Sequence, residues 1–268
     1  MSFNKTPWVI LNPIEQGIKR KIEAAGTPLK DWDISIYRGV LTGCNAAFII
    51  DKNTKEELIK QDPKSAEIIR PILRGKDIKR YGYQFADKYL ITTFPSLKID
   101  IDNYPAVKQH LLEFGYDRLK QTGAVGSRKK TNNKWFETQD SISYWEDFFK
   151  QKIAWNRIAS VKLFAYVDEG VFIQDSMHFF TGDYLKYLCA ILNSKLFVWL
   201  MRLIVGDAAG GNAGNADNVK NLHVVIPSKE MENRIVDLLK EHNYHEIDIF
   251  VYRLYGLNTS EIEFIETQ

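Results

Sequence analysis

Positions 36–51 hold two β-prone arms joined by small residues, a pattern that belongs to sheet rather than helix. Ile36, Val40 and Leu41 lie on one side, and Phe48, Ile49 and Ile50 on the other. Gly39 and Gly43 stand between them, where the main chain needs a positive φ or a close approach to something else. Arg38, Thr42 and Asn45 crowd the same turn with little bulk beside them. The spacing predicts a tight hairpin, whose tip is either solvated or presents polar groups to a ligand.

Around this stretch the chain alternates helix and strand signals. Asn12-Pro13-Ile14-Glu15 offers a cap, a proline for the first helical position and an acid three residues after the cap. Ile14, Ile18 and Ile22 then repeat every four residues until Gly26 and Pro28. Short helices are expected around Asp62-Pro63 and from Pro105 to Leu112, and a strand at 89–94. Residues 152–158 read as a strand with Ile153, Trp155 and Arg157 on one face and Lys152, Ala154 and Asn156 on the other. Residues 164–167 and 171–173 suggest a hairpin around Asp168-Glu169-Gly170. Residues 184–203 form the longest apolar run and predict one continuous helical spine. Asn193, Ser194, Lys195 and Arg202 inside it argue for a buried helix, not a membrane span. Residues 219–227 read as a closing strand, and the last forty as acidic helices.

Charge separates the chain into unequal parts. Residues 229–268 carry a net −5, so the first 228 carry +7 of an overall +2. Five cations lie between Arg70 and Arg80, with Asp77 the single acid and Gly75 in the middle. The most basic piece is 118–134, where Arg118, Lys120, Arg128, Lys129, Lys130 and Lys134 meet no acid and Gly, Ser, Thr and Asn predict a loop. A basic body suits a polyanion on one face, and equally suits a solvated surface. Two cysteines, Cys44 and Cys189, are too few for a disulfide framework, and residues 1–5 lead into no apolar signal core, so a reduced cytoplasmic protein is expected.

The run Arg38-Gly39-Val40-Leu41-Thr42-Gly43-Cys44-Asn45-Ala46-Ala47-Phe48 resembles the opening signature of the TaqI-like specificity domain, the target-recognition region of many restriction-modification DNA adenine methyltransferases. The resemblance continues in order through residues 69–81, 89–93, Lys152-Ile153, the Ile-Leu-Asn-Ser-Lys-Leu core within 188–196, and the closing Val251-Tyr252-Arg253-Leu254-Tyr255-Gly256-Leu257. It implies an α+β fold of mixed twisted sheets with packing helices: a target-recognition domain over residues 1–228, then a short helical segment over 229–268. It also implies sequence-specific binding of double-stranded DNA beside an upstream methyltransferase domain or subunit, to which a restriction endonuclease is sometimes fused.

The chain has no catalytic motif of its own. An adenine methyltransferase needs a glycine-rich loop for its methyl donor and an Asn/Asp-Pro-Pro-aromatic motif, and Asn12-Pro13-Ile14 lacks the second proline and the aromatic. The Asp-x-Lys fragments at Asp62 and Asp77 have no acidic partner for a metal nuclease. His242 and His245 lack the matching ligands of a zinc site. No cofactor is therefore expected here, S-adenosylmethionine belonging to the associated methyltransferase. Candidate phosphate contacts are Arg74, Lys76, Lys79, Arg128, Lys129 and Lys130; candidate base readers are Arg38, Thr42, Asn45, Asn156 and Arg157. A protein-interaction adaptor and a standalone metal-dependent nuclease remain the rival expectations.

Overall fold

The structure, a computed structural model, describes residues 11–157, 163–205 and 216–268. Expectations for the first ten residues, for Ile158 and for the glycine-rich segment 206–215 lie outside these. The N-terminal cap forms as its spacing predicts. Asn12 accepts from the amides of Ile14 and Glu15, and Glu15 returns a carboxylate to the Asn12 amide at 2.8 Å. This opens α1 (Pro13–Ala25), which buries Ile18 and Ile22 while Ile14 stays exposed.

The chain then runs through β1 (Thr27–Pro28), β2 (Ile34–Arg38), α2 (Asn45–Phe48), β3 (Ile49–Asp51), α3 (Lys52–Gln61), β4 (Ile69–Leu73) and β5 (Lys88–Ile91). It continues with α4 (Pro105–Glu113), α5 (Tyr116–Leu119), β6 (Lys152–Asn156), β7 (Phe164–Val167), β8 (Phe172–Ile173) and β9 (Met177–Gly182). α6 (Leu185–Asn193), α7 (Lys195–Val205), α8 (Ala216–Lys220), β10 (His223–Val224), α9 (Lys229–Lys240), α10 (Tyr244–Leu254) and α11 (Thr259–Glu266) complete it. The fold is α+β, with two four-stranded sheets and packing helices. The first sheet has the order β2-β9-β6-β7 and is antiparallel throughout. The second has the order β3-β5-β4-β8, with β8 parallel to β4. β1 and β10 pair separately.

The first sheet is buried on both faces. Alternation along β6 sends Ile153 and Trp155 into one apolar core and Ala154 into another, and on β9 the neighbours Phe180 and Phe179 divide the same way. The first core contains α1, α6, α7 and the three C-terminal helices, including Ile235, Leu238, Ile247 and Val251. The second contains the second sheet with α3, α4 and α5.

Neither predicted hairpin forms. β2 joins the first sheet and β3 the second, so residues 39–48 carry the chain across from one to the other. Residues 168–171 do the same between β7 and β8, and the chain returns at β9. Strand content marks extended backbone but does not name the partner strand. The apolar spine also divides. α6 and α7 meet at 71°, because Asn193 turns its side chain to the edge of the sheet, accepting from the Phe164 amide at 3.1 Å and donating to the Phe164 carbonyl at 2.7 Å. Buried Asp248 then accepts from the Lys195 amide at 2.8 Å, capping α7. No single helix among the described residues is long and apolar enough to cross a membrane. Part of the expected strand at 219–227 is helical instead, as α8, and only the two residues of β10 pair as a strand.

Candidate nucleic-acid interface

The segment after β2 is a strap pressed between the two sheets. A Cβ on Gly39 would lie 2.1 Å from the Gln174 carbonyl oxygen, so only glycine fits there. Val40 donates to Ile173 at 2.7 Å, and Asp175 donates back to Val40 at 3.1 Å. Gly43 takes a φ of 75°, which a β-carbon would strain. Thr42 is fully buried: its hydroxyl donates to the Asn45 side-chain oxygen at 2.7 Å and accepts from the Cys44 amide at 3.1 Å. Thr42 therefore shapes the turn and is not available as a base reader, whereas Asn45 is exposed.

The basic segment 118–134 is tied down by its own main chain. Arg128 donates to Lys120, Gly123 to Arg128, and Thr131 to Gln121, each at 2.9–3.0 Å. Arg128 itself is 5% exposed, and its guanidinium serves four carbonyls, those of Leu119, Thr42, Glu137 and Trp135, at 2.7–2.8 Å. Burial pulls its pKa down to about 10. The expected phosphate contact is thus an internal rivet joining this segment to the strap, with four of its five N–H donors spent. Lys120 pairs with Asp117. Arg118, Lys129, Lys130 and Lys134 stay exposed.

The 74–80 turn divides its cations likewise. Asn156 is engaged here, its amide donating to the Gly75 carbonyl at 2.9 Å. Lys76 and Lys79 are exposed, without an ion pair among the described residues. Arg80 caps the end of α6 through two bonds to the Asn193 carbonyl.

These pieces converge on the turn into β9. Arg157 donates to the Asp175 carbonyl at 3.1 Å, and its amide to Ser176 at 3.0 Å. Arg38 reaches the Asp175 carboxylate from β2 at 3.4 Å, while its buried Nε has no partner among the described residues. Tyr144, stacked on Tyr37 at 4.7 Å, holds the Arg38 carbonyl through its hydroxyl. Half-buried Asp140 lies within electrostatic reach of Arg38, Asp175 and Lys129, and burial raises its pKa. His178 lies beside Arg157, Arg38 and Lys220, and burial lowers its pKa. Arg38, Arg157 and Lys129 therefore border one patch around Asp175 and Asp140, whereas Thr42 and Arg128 face inward and Arg74 is closed on Asp77. Asp175 and Asp140 were not legible as site residues, because no local pattern places a lone acid between two arginines distant in the chain.

Among the described residues no three His, Cys, Asp or Glu side chains gather as a metal set. His242 instead meets the Tyr244 hydroxyl at 3.0 Å.

No curated protein matches the chain in sequence. Among solved structures, the type IIL restriction-modification enzyme MmeI, solved in complex with DNA, is similar in fold at a TM-score of 0.56 and 14% identity, over 90% of this chain and 36% of that one. The type IIG restriction endonuclease BpuSI is similar at 0.52 and 14% identity, over 85% of this chain and 28% of that one. The chain spans about a third of the length of these proteins. The sequence profile of the TaqI-like C-terminal specificity domain matches residues 70–210, just over half of the chain, from the Arg74 turn through the Asn193 bend. The chain belongs to the family of TaqI-like C-terminal specificity domains.

Proposed function

We propose that this chain binds duplex DNA sequence-specifically, as the specificity module of a restriction-modification enzyme that holds an adenine methyltransferase over its target. The observation that carries the reading is the gathering of Arg38, Lys129 and Arg157 around Asp175 and Asp140 in a specificity-domain fold. Phosphates bound by exposed cations release counterions and supply affinity, while side chains at base edges supply discrimination. Lys79 and Lys130 extend the phosphate-facing set, and Asn45 lies exposed where the strap turns. The methyl transfer belongs to a methyltransferase domain or subunit carrying S-adenosylmethionine, with an endonuclease attached in enzymes that also cut.

The test is selection of a pooled random duplex library by the purified chain at two salt concentrations, with sequencing of the retained DNA. A short enriched motif is expected, with affinity falling as salt rises. Charge reversal of Lys76, Lys129 and Lys130 should weaken retention alike for all sequences and lower the salt slope by about one per lysine. No retention at low salt would overturn the reading in favour of a protein-interaction adaptor. Metal-dependent cleavage by the purified chain would instead show a nuclease.

A further inference from the structure

A surface made only to hold phosphates has no use for a carboxylate, because phosphate oxygens accept hydrogen bonds and repel negative charge. Asp175 nevertheless stands between Arg38 and Arg157, its carboxylate on the first and its main-chain carbonyl on the second. Its main chain is fixed: the amide is held by Val40, the carbonyl by Arg157, and the flanking Gln174 and Ser176 carbonyls by Met177 and Arg157. The side chain is 23% accessible, and one carboxylate oxygen has no partner among the described residues. A carboxylate on so fixed a main chain offers that oxygen to a hydrogen-bond donor, and on duplex DNA the donors are the amino groups of bases.

The arginine beside it is open in the complementary sense. Arg74 closes two bonds on Asp77, and Arg128 spends its guanidinium on four carbonyls. The Arg38 guanidinium makes a single contact, at 3.4 Å through Nη2, on a side chain that is 40% exposed. The pair thus presents a donor fork next to an acceptor. In the major groove a G·C pair presents the matching set, acceptors at guanine O6 and N7 beside the donor at cytosine N4. We infer that Arg38 and Asp175 together read one G·C base pair, Arg38 donating to the guanine edge and Asp175 accepting from the cytosine amino group. This rests on the DNA-binding reading above and adds to it the two residues that discriminate.

The experiment repeats the random-duplex selection with Asp175→Asn, a near-isosteric change, and with Arg38→Lys, which keeps the charge but loses the fork. The expected result is that both variants lose the preference for G·C at the same single position, by about tenfold. The rest of the motif and the salt slope stay at wild type, and thermal melts confirm the fold. A wild-type motif retained in both variants would overturn the inference. So would a loss of affinity equal at every position with a reduced salt slope, which would make Asp175 a positioning residue for phosphate contacts. Retention of DNA by the wild-type chain without any motif would overturn the inference and leave DNA binding standing. No retention by the wild-type chain at low salt would instead remove the DNA-binding reading on which it rests.

Discussion

At the residue scale, identical side chains in this protein do three different jobs according to what their donors meet. Arg74 is closed on an acid, Arg128 on four carbonyls, and Arg38, with one contact at 3.4 Å, keeps its side chain 40% exposed. Arg128→Ala should destabilise the fold by about 3 kcal/mol, since four buried carbonyls lose their donor. For a chain of this size that is a fall in Tm of roughly 6–12 °C by calorimetry. Arg128→Lys should recover little of it, because an ammonium has three donors and none of the planar fork. Alanine at Lys129 or Lys130, both exposed, should change stability by no more than about 0.5 kcal/mol. The sequence alone places Arg128 among the exposed cations, because its neighbours are lysines and small polar residues. Its inward turn depends on the Thr42 carbonyl, 86 positions away.

At the element scale, the strap and the broken spine explain two motifs of the family resemblance in physical terms. The Arg-Gly-Val-Leu-Thr-Gly run crosses from the first sheet to the second, with Gly39 against the Gln174 main chain and Gly43 in the left-handed region. Gly39→Ala should cost on the order of 3 kcal/mol, because a main-chain atom cannot yield as a flexible side chain can. Its measurable signature would be a lower denaturant midpoint with an unchanged m-value. The Asn-Ser-Lys of the spine bends it at Asn193, whose side chain braces the edge strand at Phe164. Helix propensity and apolar content alone predicted a single helix, since neither contains the edge strand or Asp248 that stabilises the break.

At the scale of the whole molecule, the first sheet lies between two apolar cores, and that burial governs how stability responds to pH. Lys152 on β6 is fully buried, donates to the Asp168 carbonyl at 3.0 Å, and has its pKa pulled down to about 8 by burial. Between pH 8 and its ordinary 10.5 the unfolded chain binds more protons than the folded one, so this group makes stability rise with pH. Burial raises Tyr81, Tyr187, Tyr252 and Tyr255, so above about pH 10 the unfolded chain ionises first and stability falls. Denaturant titrations from pH 7 to 11 should therefore peak between pH 9 and 10, and Lys152→Met should remove the rise from pH 8. By itself the sequence determined the caps, the α+β class, the alternation along β6 and the family, because each rests on contacts within a few residues or on an ordered set of motifs. Only the tertiary structure decided which strands pair, which arginines face inward and that Asp175 stands between Arg38 and Arg157. Those outcomes depend on groups far apart in the chain that meet only once both sheets have packed.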